Sequence, residues 1–402
     1  MWIALGIFVL TYLALAAGRV PGLRLDRTGA AIVGATLMIA ANVLTLRQAY
    51  AAIDYETIAL LFGMMIVVAN LRLSGFFALV TAWVVDHAHS PLMLLAGIVL
   101  VSGILSAFFV NDTVCLALTP LVLDITLHLR RNPVPYLLAL AMASNAGSVA
   151  TITGNPQNMM IASFSHIGYG QFAAALAPIA ALSLPITAAV IAIAYRSEFL
   201  RRTRLDVKHE PVRVHRALMV KSLAVAAAMI GAFFAGWPSP NAALLAGAIL
   251  LLTRRIKPER VYREIDWSLL ALFVGLFVVI AGVEQTSFPD DLFSAASRFH
   301  LDRTLPMSLF SAALSNLVSN VPAVLVFKSF VSHLPHPTHA RLVLAMSSTL
   351  AGNLTILGSV ANLIVAQRAR PYVHIGFWEY AKTGVPVTVL TLAAGILMLG
   401  LH

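Results

Sequence analysis

Charge is what this sequence has least of. Asp, Glu, Lys and Arg make up 11% of its 402 residues, against about 25% in an ordinary soluble domain. Cysteine is nearly absent as well, and the single residue, Cys115, excludes an internal disulfide framework and zinc clusters of the usual spacing. No P-loop, no His-Glu-x-x-His pattern and no Ser/His/Asp set lies in the apolar segments, so neither nucleotide hydrolysis nor intramembrane catalysis is expected. The chain therefore reads as a non-enzyme without a metal site or bound cofactor.

What replaces charge is hydrophobicity, 59% of residues with a mean hydropathy of +0.87. Met1 to Gly18, Thr28 to Leu46, Thr57 to Leu71, Val134 to Tyr195, Ser222 to Thr253, Trp267 to Val283, Leu342 to Ala366 and Thr383 onward hold no Lys, Arg, Asp or Glu. A helical span needs about 20 apolar residues, so the chain is an all-α, multi-pass protein whose partner is the lipid bilayer. Met1 to Ala17 lacks a basic leader and is followed by Arg19, Arg24 and Arg27, the pattern of a retained anchor.

The net charge of +10 is concentrated. Arg196 to Arg216 and Arg254 to Arg263 together carry 12 of the 27 Lys and Arg residues. They flank a helical pair whose turn, "GWPSPN", holds Pro238 and Pro240, so both basic loops fall on one side. Positive charge marks that side as cytoplasmic. Arg19, Arg24, Arg27, Arg72, Arg130, Arg131, Arg368 and Arg370 then lie inside too, while Glu284 to Thr304, with four acids and two bases, lies outside. Glu198, Asp206 and Glu210 interrupt the first loop, and it lacks aromatics spaced for base stacking, so nucleic acid is not a partner. The expected location is a cell (inner or plasma) membrane with both termini outside.

The chain is also written twice. "IDYETIALLFG" from Ile53 matches "IDWSLLALFVG" from Ile265, and "SAFFVND" ending at Asp112 matches "SNLVSNV" ending at Val321. "TITGNPQN" from Thr151 matches "TILGSVAN" from Thr355, and "HIGYGQFAAALAP" from His166 matches "HIGFWEYAKTGVP" from His374. Each half holds five spans and one hairpin, and the halves enter from opposite sides. That is an inverted repeat, from which many secondary transporters derive alternating access rather than an open channel. The expected division is 1–200 for the first repeat, 201–216 for a basic loop and 217–402 for the second repeat. Re-entrant hairpins are expected at about 91–129 and 305–331, and interrupted helices at about 135–163 and 341–366.

The tips and breaks hold the polar residues. Asn111, Asp112 and Thr113 mark the first hairpin tip, Ser319 and Asn320 the second. Asp112 and Cys115 are the sole ionisable side chains from Pro91 to Leu123. A carboxylate at a helix centre costs about 2.5–3.5 kcal/mol on insertion scales, so Asp112 has a function, unless it simply caps the following helix. Thr151, Thr153, Gly154, Asn155 and Asn158 line the first break, with Asn353, Thr355, Gly358 and Asn362 in the second. Glycine permits non-helical backbone there and frees peptide groups as ligands, although tight helix packing would also account for Gly147, Gly154, Gly352 and Gly358. All these tip and break residues except Asp112 are candidate substrate ligands. Lys328 reads as a side chain reaching for the membrane surface, Cys115 as small packing, and His333, His336 and His339 as an outer solvated loop.

These residues resemble a family. The Asn111–Asp112–Thr113 tip, "GNPQN" from Gly154, Ser319–Asn320 and "LGSVANLIV" from Leu357 are similar to the ion transporter superfamily of arsenite permeases, sodium/proton antiporters and divalent-anion/sodium symporters. The anion symporters carry Ser-Asn-Thr at both tips, so the acidic tip looks more like the arsenite and antiporter branch. The resemblance implies proton-coupled efflux of arsenite or antimonite, with sodium/proton exchange or sodium-coupled carboxylate transport as alternatives. It also implies dependence on a transmembrane proton gradient, sodium being the other possible ion, and an ATPase partner that could dock on the basic loops. Low dielectric disfavours a charged carboxyl, which makes Asp112 the residue expected to carry the coupling proton.

Overall fold

The computed structural model describes residues 2–17, 25–199, 214–253, 256–286 and 299–400. Arg19, Arg24, Arg254, Arg255, most of the 201–216 loop, the centre of the 284–304 segment and His402 lie outside them.

In the first half α1 (Trp2–Ala17), α2 (Arg27–Ala40), α3 (Leu46–Ala52), α4 (Tyr55–Leu73) and α5 (Phe76–His87) precede the hairpin of α6 (Pro91–Phe108) and α7 (Asn111–His128). The interrupted helix follows as α8 (Pro133–Ser148), a 3-10 turn at Ile152–Gly154 and α9 (Pro156–Ser165), and α10 (Tyr169–Ala194) closes the half. A short α11 (Arg196–Phe199) leads out. The second half repeats the order with α12 (Arg216–Phe234), α13 (Ser239–Leu251), α14 (Pro258–Tyr262) and α15 (Trp267–Glu284). Its hairpin is α16 (Thr304–Val318) with α17 (Asn320–Val331), its interrupted helix α18 (Pro337–Ala351) with α19 (Val360–Ala369), and its closing helix α20 (Phe377–Gly400).

Six of these helices, α4, α6, α10, α12, α15 and α20, are long and apolar enough to cross a membrane alone. Their outer faces expose residues such as Leu100, Ile193, Val220 and Leu397, as lipid contact requires. One helix without a counterpart in the sequence reading is α5, of 12 residues and about 18 Å at 1.5 Å each. It lies over the first hairpin, where Val84, Val85, Leu94 and Val122 share an apolar pocket.

The repeat governs packing. Asp54 caps α4 by accepting the Thr57 N–H at 3.1 Å, and Asp266 caps α15 by accepting the Leu269 N–H at 2.9 Å. About two and a half turns further on, Gly63 lets α4 meet the backbone of Ala243 on α13, and Gly275 lets α15 meet the backbone of Ala31 on α2. A Cβ would come within 2.5 Å of that backbone in the first case and 2.7 Å in the second. Each half thus lends its second helix to the other half's third, which interlocks the repeats. On the face that carries the start of α14, Arg72 pairs with Glu264 and the His215 N–H reaches Ser74 O at 3.0 Å. Arg131 lies 3.6 Å from Glu198, which also accepts from Tyr136.

Candidate functional site

Interrupting a helix frees carbonyls that must find partners. Asn158 Nδ2 donates to Ser148 O at 3.1 Å and Thr151 O at 3.0 Å. Asn362 Nδ2 does the same in the second half, to Gly352 O at 2.7 Å and Thr355 O at 3.1 Å. The outgoing half-helices are capped by their own residues, Asn155 Oδ1 accepting from Asn158 N at 2.9 Å and Ser359 Oγ from Ala361 N at 3.2 Å. Thr151 donates to Ala107 O on the first hairpin, and Thr355 Oγ1 donates to Asn316 Oδ1 on the second at 3.2 Å. Thr153 bonds the Tyr169 hydroxyl at 2.8 Å.

Two buried residues at one repeat position tie the halves together. Asn145 Nδ2 donates to Asn353 Oδ1 at 2.9 Å and Asn362 Oδ1 at 3.0 Å. Its Oδ1 accepts from Asn111 Nδ2 at 2.9 Å and from Ser359 Oγ at 3.0 Å. Its counterpart, Thr349, accepts from Asn155 Nδ2 at 3.2 Å and Gln157 Nε2 at 3.1 Å. Asn320, oriented by its partners, donates to Gly358 O at 3.2 Å and Ser348 O at 3.1 Å, and accepts from Gln157 Nε2 at 3.2 Å. Asn353 Nδ2 is held by Met142 O at 3.0 Å.

Inside this lattice is a cavity of about 50 Å³, room for about four water-sized groups at 10–15 Å³ each. Asn111, Asp112, Gln157, Ser319, Asn320 and Ser359 line it, together with Arg27 of α2 and Leu269 of α15. Four half-helices, α7, α9, α17 and α19, begin at this lining. Each N-terminus presents about half a positive charge, so the cavity is electropositive. Among the described lining residues Asp112 is the sole acid, and it is half-buried. The converging N-termini and Arg27 offset the charge of an ionised Asp112.

Of the residues expected from the sequence, Asn111, Asp112, Ser319 and Asn320 reach the cavity. Thr151, Thr153, Asn155, Asn158, Asn353, Thr355 and Asn362 form the hydrogen-bonded frame behind it. The glycines serve close approach and not unusual backbone, since no residue from Gly147 to Asn158 or Gly352 to Gly358 has positive φ. A Cβ on Gly154 would lie 2.1 Å from Ser148 O, and one on Gly358 2.7 Å from Asn316 Oδ1. Thr113 stands outside both cavity and frame. Ser319 has φ 79° and ψ 158°, a strained conformation for a non-glycine residue at the second tip. Asn145, Thr349 and Ser359 were not singled out, although the repeat aligns Asn145 with Thr349 and Ser359 with Asn155. The sequence grouped Arg27 with the cytoplasmic bases, whereas the fold sets it in the lining of this cavity.

A second cavity of about 230 Å³ lies at the other end of α9, between Asp54, Ser163, Phe164, Phe277 and Lys328. Lys328 therefore borders a polar recess opposite Asp54, and does not merely reach for the membrane surface. Gln157 faces the first cavity and Ser163 the second, so α9 separates two recesses.

A family model described as citrate transporter (CitMHS) matches residues 10–339, most of the chain. The chain belongs to this family. It is 29% identical to the silicon efflux transporter LSI3 of Oryza sativa subsp. japonica, over 95% of this chain and 94% of that one. It is 24% identical to a Dictyostelium discoideum transporter named arsB, over 93% of this chain and 87% of the relative. Among solved structures the Alcanivorax borkumensis YdaH transporter, described as having an unusual topology, superposes with a TM-score of 0.59 at 15% identity, over 100% and 96% of the two chains. The protein is a membrane transporter of the ion transporter superfamily, and the paired hairpins and breaks are the architecture of that fold.

Proposed function

We propose that this protein exports a small oxo-acid, with arsenite and antimonite as the first candidates, in exchange for protons by alternating access. The observation that carries the reading is Asp112, the one acid among the described residues lining a cavity on which four helix N-termini converge. The basic face is taken as cytoplasmic. With the cavity facing outward, Asp112 takes a proton; facing inward, it releases the proton as cargo settles between Asn111 and Asn320. A space for about four water-sized groups suits a compact trihydroxy acid. The relative named as a silicon efflux transporter supports efflux, and the arsB name of another supports arsenite as a candidate.

The test is purified protein in liposomes loaded with arsenite under an imposed pH gradient. Asp112→Asn keeps shape and hydrogen bonding while removing titration, so it should abolish gradient-driven efflux and retain arsenite exchange. Uphill efflux with an unchanged pH profile in that variant would reduce Asp112 to a helix cap. A sodium-coupled reading has one observation in its favour: Asn158 Oδ1 is fully buried without a partner, an oxygen open to a cation. Efflux that follows a sodium gradient at constant pH would favour it.

A further inference from the structure

Arg27 has no part in the transport cycle above, yet its surroundings ask for a ligand. It opens α2 directly after Asp26, whose carboxylate is already engaged by the Gly29 N–H at 2.8 Å. The Arg27 guanidinium is half-buried, lines the cavity with Asp112, and has no ion pair with any described acid. A guanidinium stays charged, offers five N–H donors in a planar fork and is weakly hydrated, which fits it to grip two oxygens of an anion. Asn111, in the same lining, is 4% exposed, and its Oδ1 is buried with no donor. Leaving such an acceptor unpaired costs about 1–3 kcal/mol, so a guest that supplies an O–H is favoured there. The two residues make complementary demands: a charged oxygen pair at Arg27 and a hydroxyl at Asn111.

We propose that Arg27 and Asn111 bind the cargo as the singly charged form of an oxo-acid that keeps at least one hydroxyl. Arg27 is then the residue that selects for charge, and Asn111 the one that selects for the proton left on the acid. A fully neutral acid leaves Arg27 without its partner. A fully deprotonated one meets Asn111 Oδ1 and Asp112 with oxygen against oxygen. The assignment builds on the efflux reading for its cargo class, but binding alone decides it.

Wild-type protein in nanodiscs is titrated with dihydrogen phosphate, bicarbonate, and arsenite and silicate brought to their singly charged forms, with nitrate as an anion lacking a hydroxyl. Binding is read from the melting temperature. At least one hydroxylated monoanion is expected to stabilise the wild type and nitrate to have no effect. Arg27→Gln should weaken that binding at least tenfold, Arg27→Lys by less. In the wild type, with no substitution, the same anion should slow modification of Arg27 by phenylglyoxal, measured by peptide mass spectrometry. Equal stabilisation of wild type and Arg27→Gln, no stabilisation by any probe, or unprotected Arg27 overturns the assignment. If Arg27 is protected while liposomes export no arsenite, the efflux reading fails and the site stands; the reverse pattern removes the site and leaves the efflux reading.

Discussion

Asn145→Ala removes a side chain that joins both hairpin tips' supporting frames. The wild-type amide makes four hydrogen bonds, to Asn111, Ser359, Asn353 and Asn362. Side-chain hydrogen bonds within membrane proteins average about 0.6 kcal/mol, and those in soluble proteins about 1 kcal/mol, so the loss amounts to about 2.4–4 kcal/mol. The upper end applies here, because Asn111 Nδ2 loses its sole partner while its Oδ1 already has none. Thr349→Val is the internal control. It removes two acceptor contacts, about 1.2–2 kcal/mol on the same scale, and its donors keep alternatives in Ser148 Oγ and Asn320. The assay is built into the chain: Cys115 is the single cysteine and fully buried, so a thiol-reactive dye reports unfolding. Folded protein should stay unlabelled, and Asn145→Ala should lower the melting temperature at least twice as much as Thr349→Val. If Asn145→Ala melts with the wild type, the four bonds do not hold the halves together and the frame has been misjudged.

Gly63→Ala and Gly275→Ala each push a Cβ into a helix backbone, at 2.5 Å and 2.7 Å. Overpacking of this kind costs about 1–3 kcal/mol, and the two variants should be destabilised by similar amounts in the same melting assay, as related positions of one repeat must be. Ser319→Gly relieves the positive φ of 79°. Strain of this type is worth about 1–3 kcal/mol, so the variant should melt higher; a lower melting temperature would mean that the Ser319 side chain contributes more than its backbone costs.

How much of this was legible beforehand follows from what is local. Hydropathy and charge are read residue by residue, so an all-helical chain with apolar spans was legible in the sequence. Proline and asparagine marked where helices stop, because a missing N–H or a capping amide acts within one turn. Helix α5 escaped because its 12 residues are too short to register as a span and too apolar to register as a loop. The self-similarity of the chain was equally local, since it needs comparison of letters and not contacts.

Convergence is another matter. Asn145 meets Asn353 and Asn362 across 208 and 217 residues of chain, and no local pattern sets which amide faces which. That pairing exists because α2 packs on α15 and α13 on α4, which brings two inverted halves to one centre. Arg27 shows the difference most clearly. In the sequence it is one more basic residue after an apolar run; in the fold it opens α2 in the lining of the cavity that Asn111 also lines. The sequence by itself determined that the chain crosses a membrane twice over in mirrored order, because burial in lipid is decided by each segment's own composition. The tertiary structure alone decided which polar groups share the cavity, because their energies depend on distance and orientation between segments far apart in the chain.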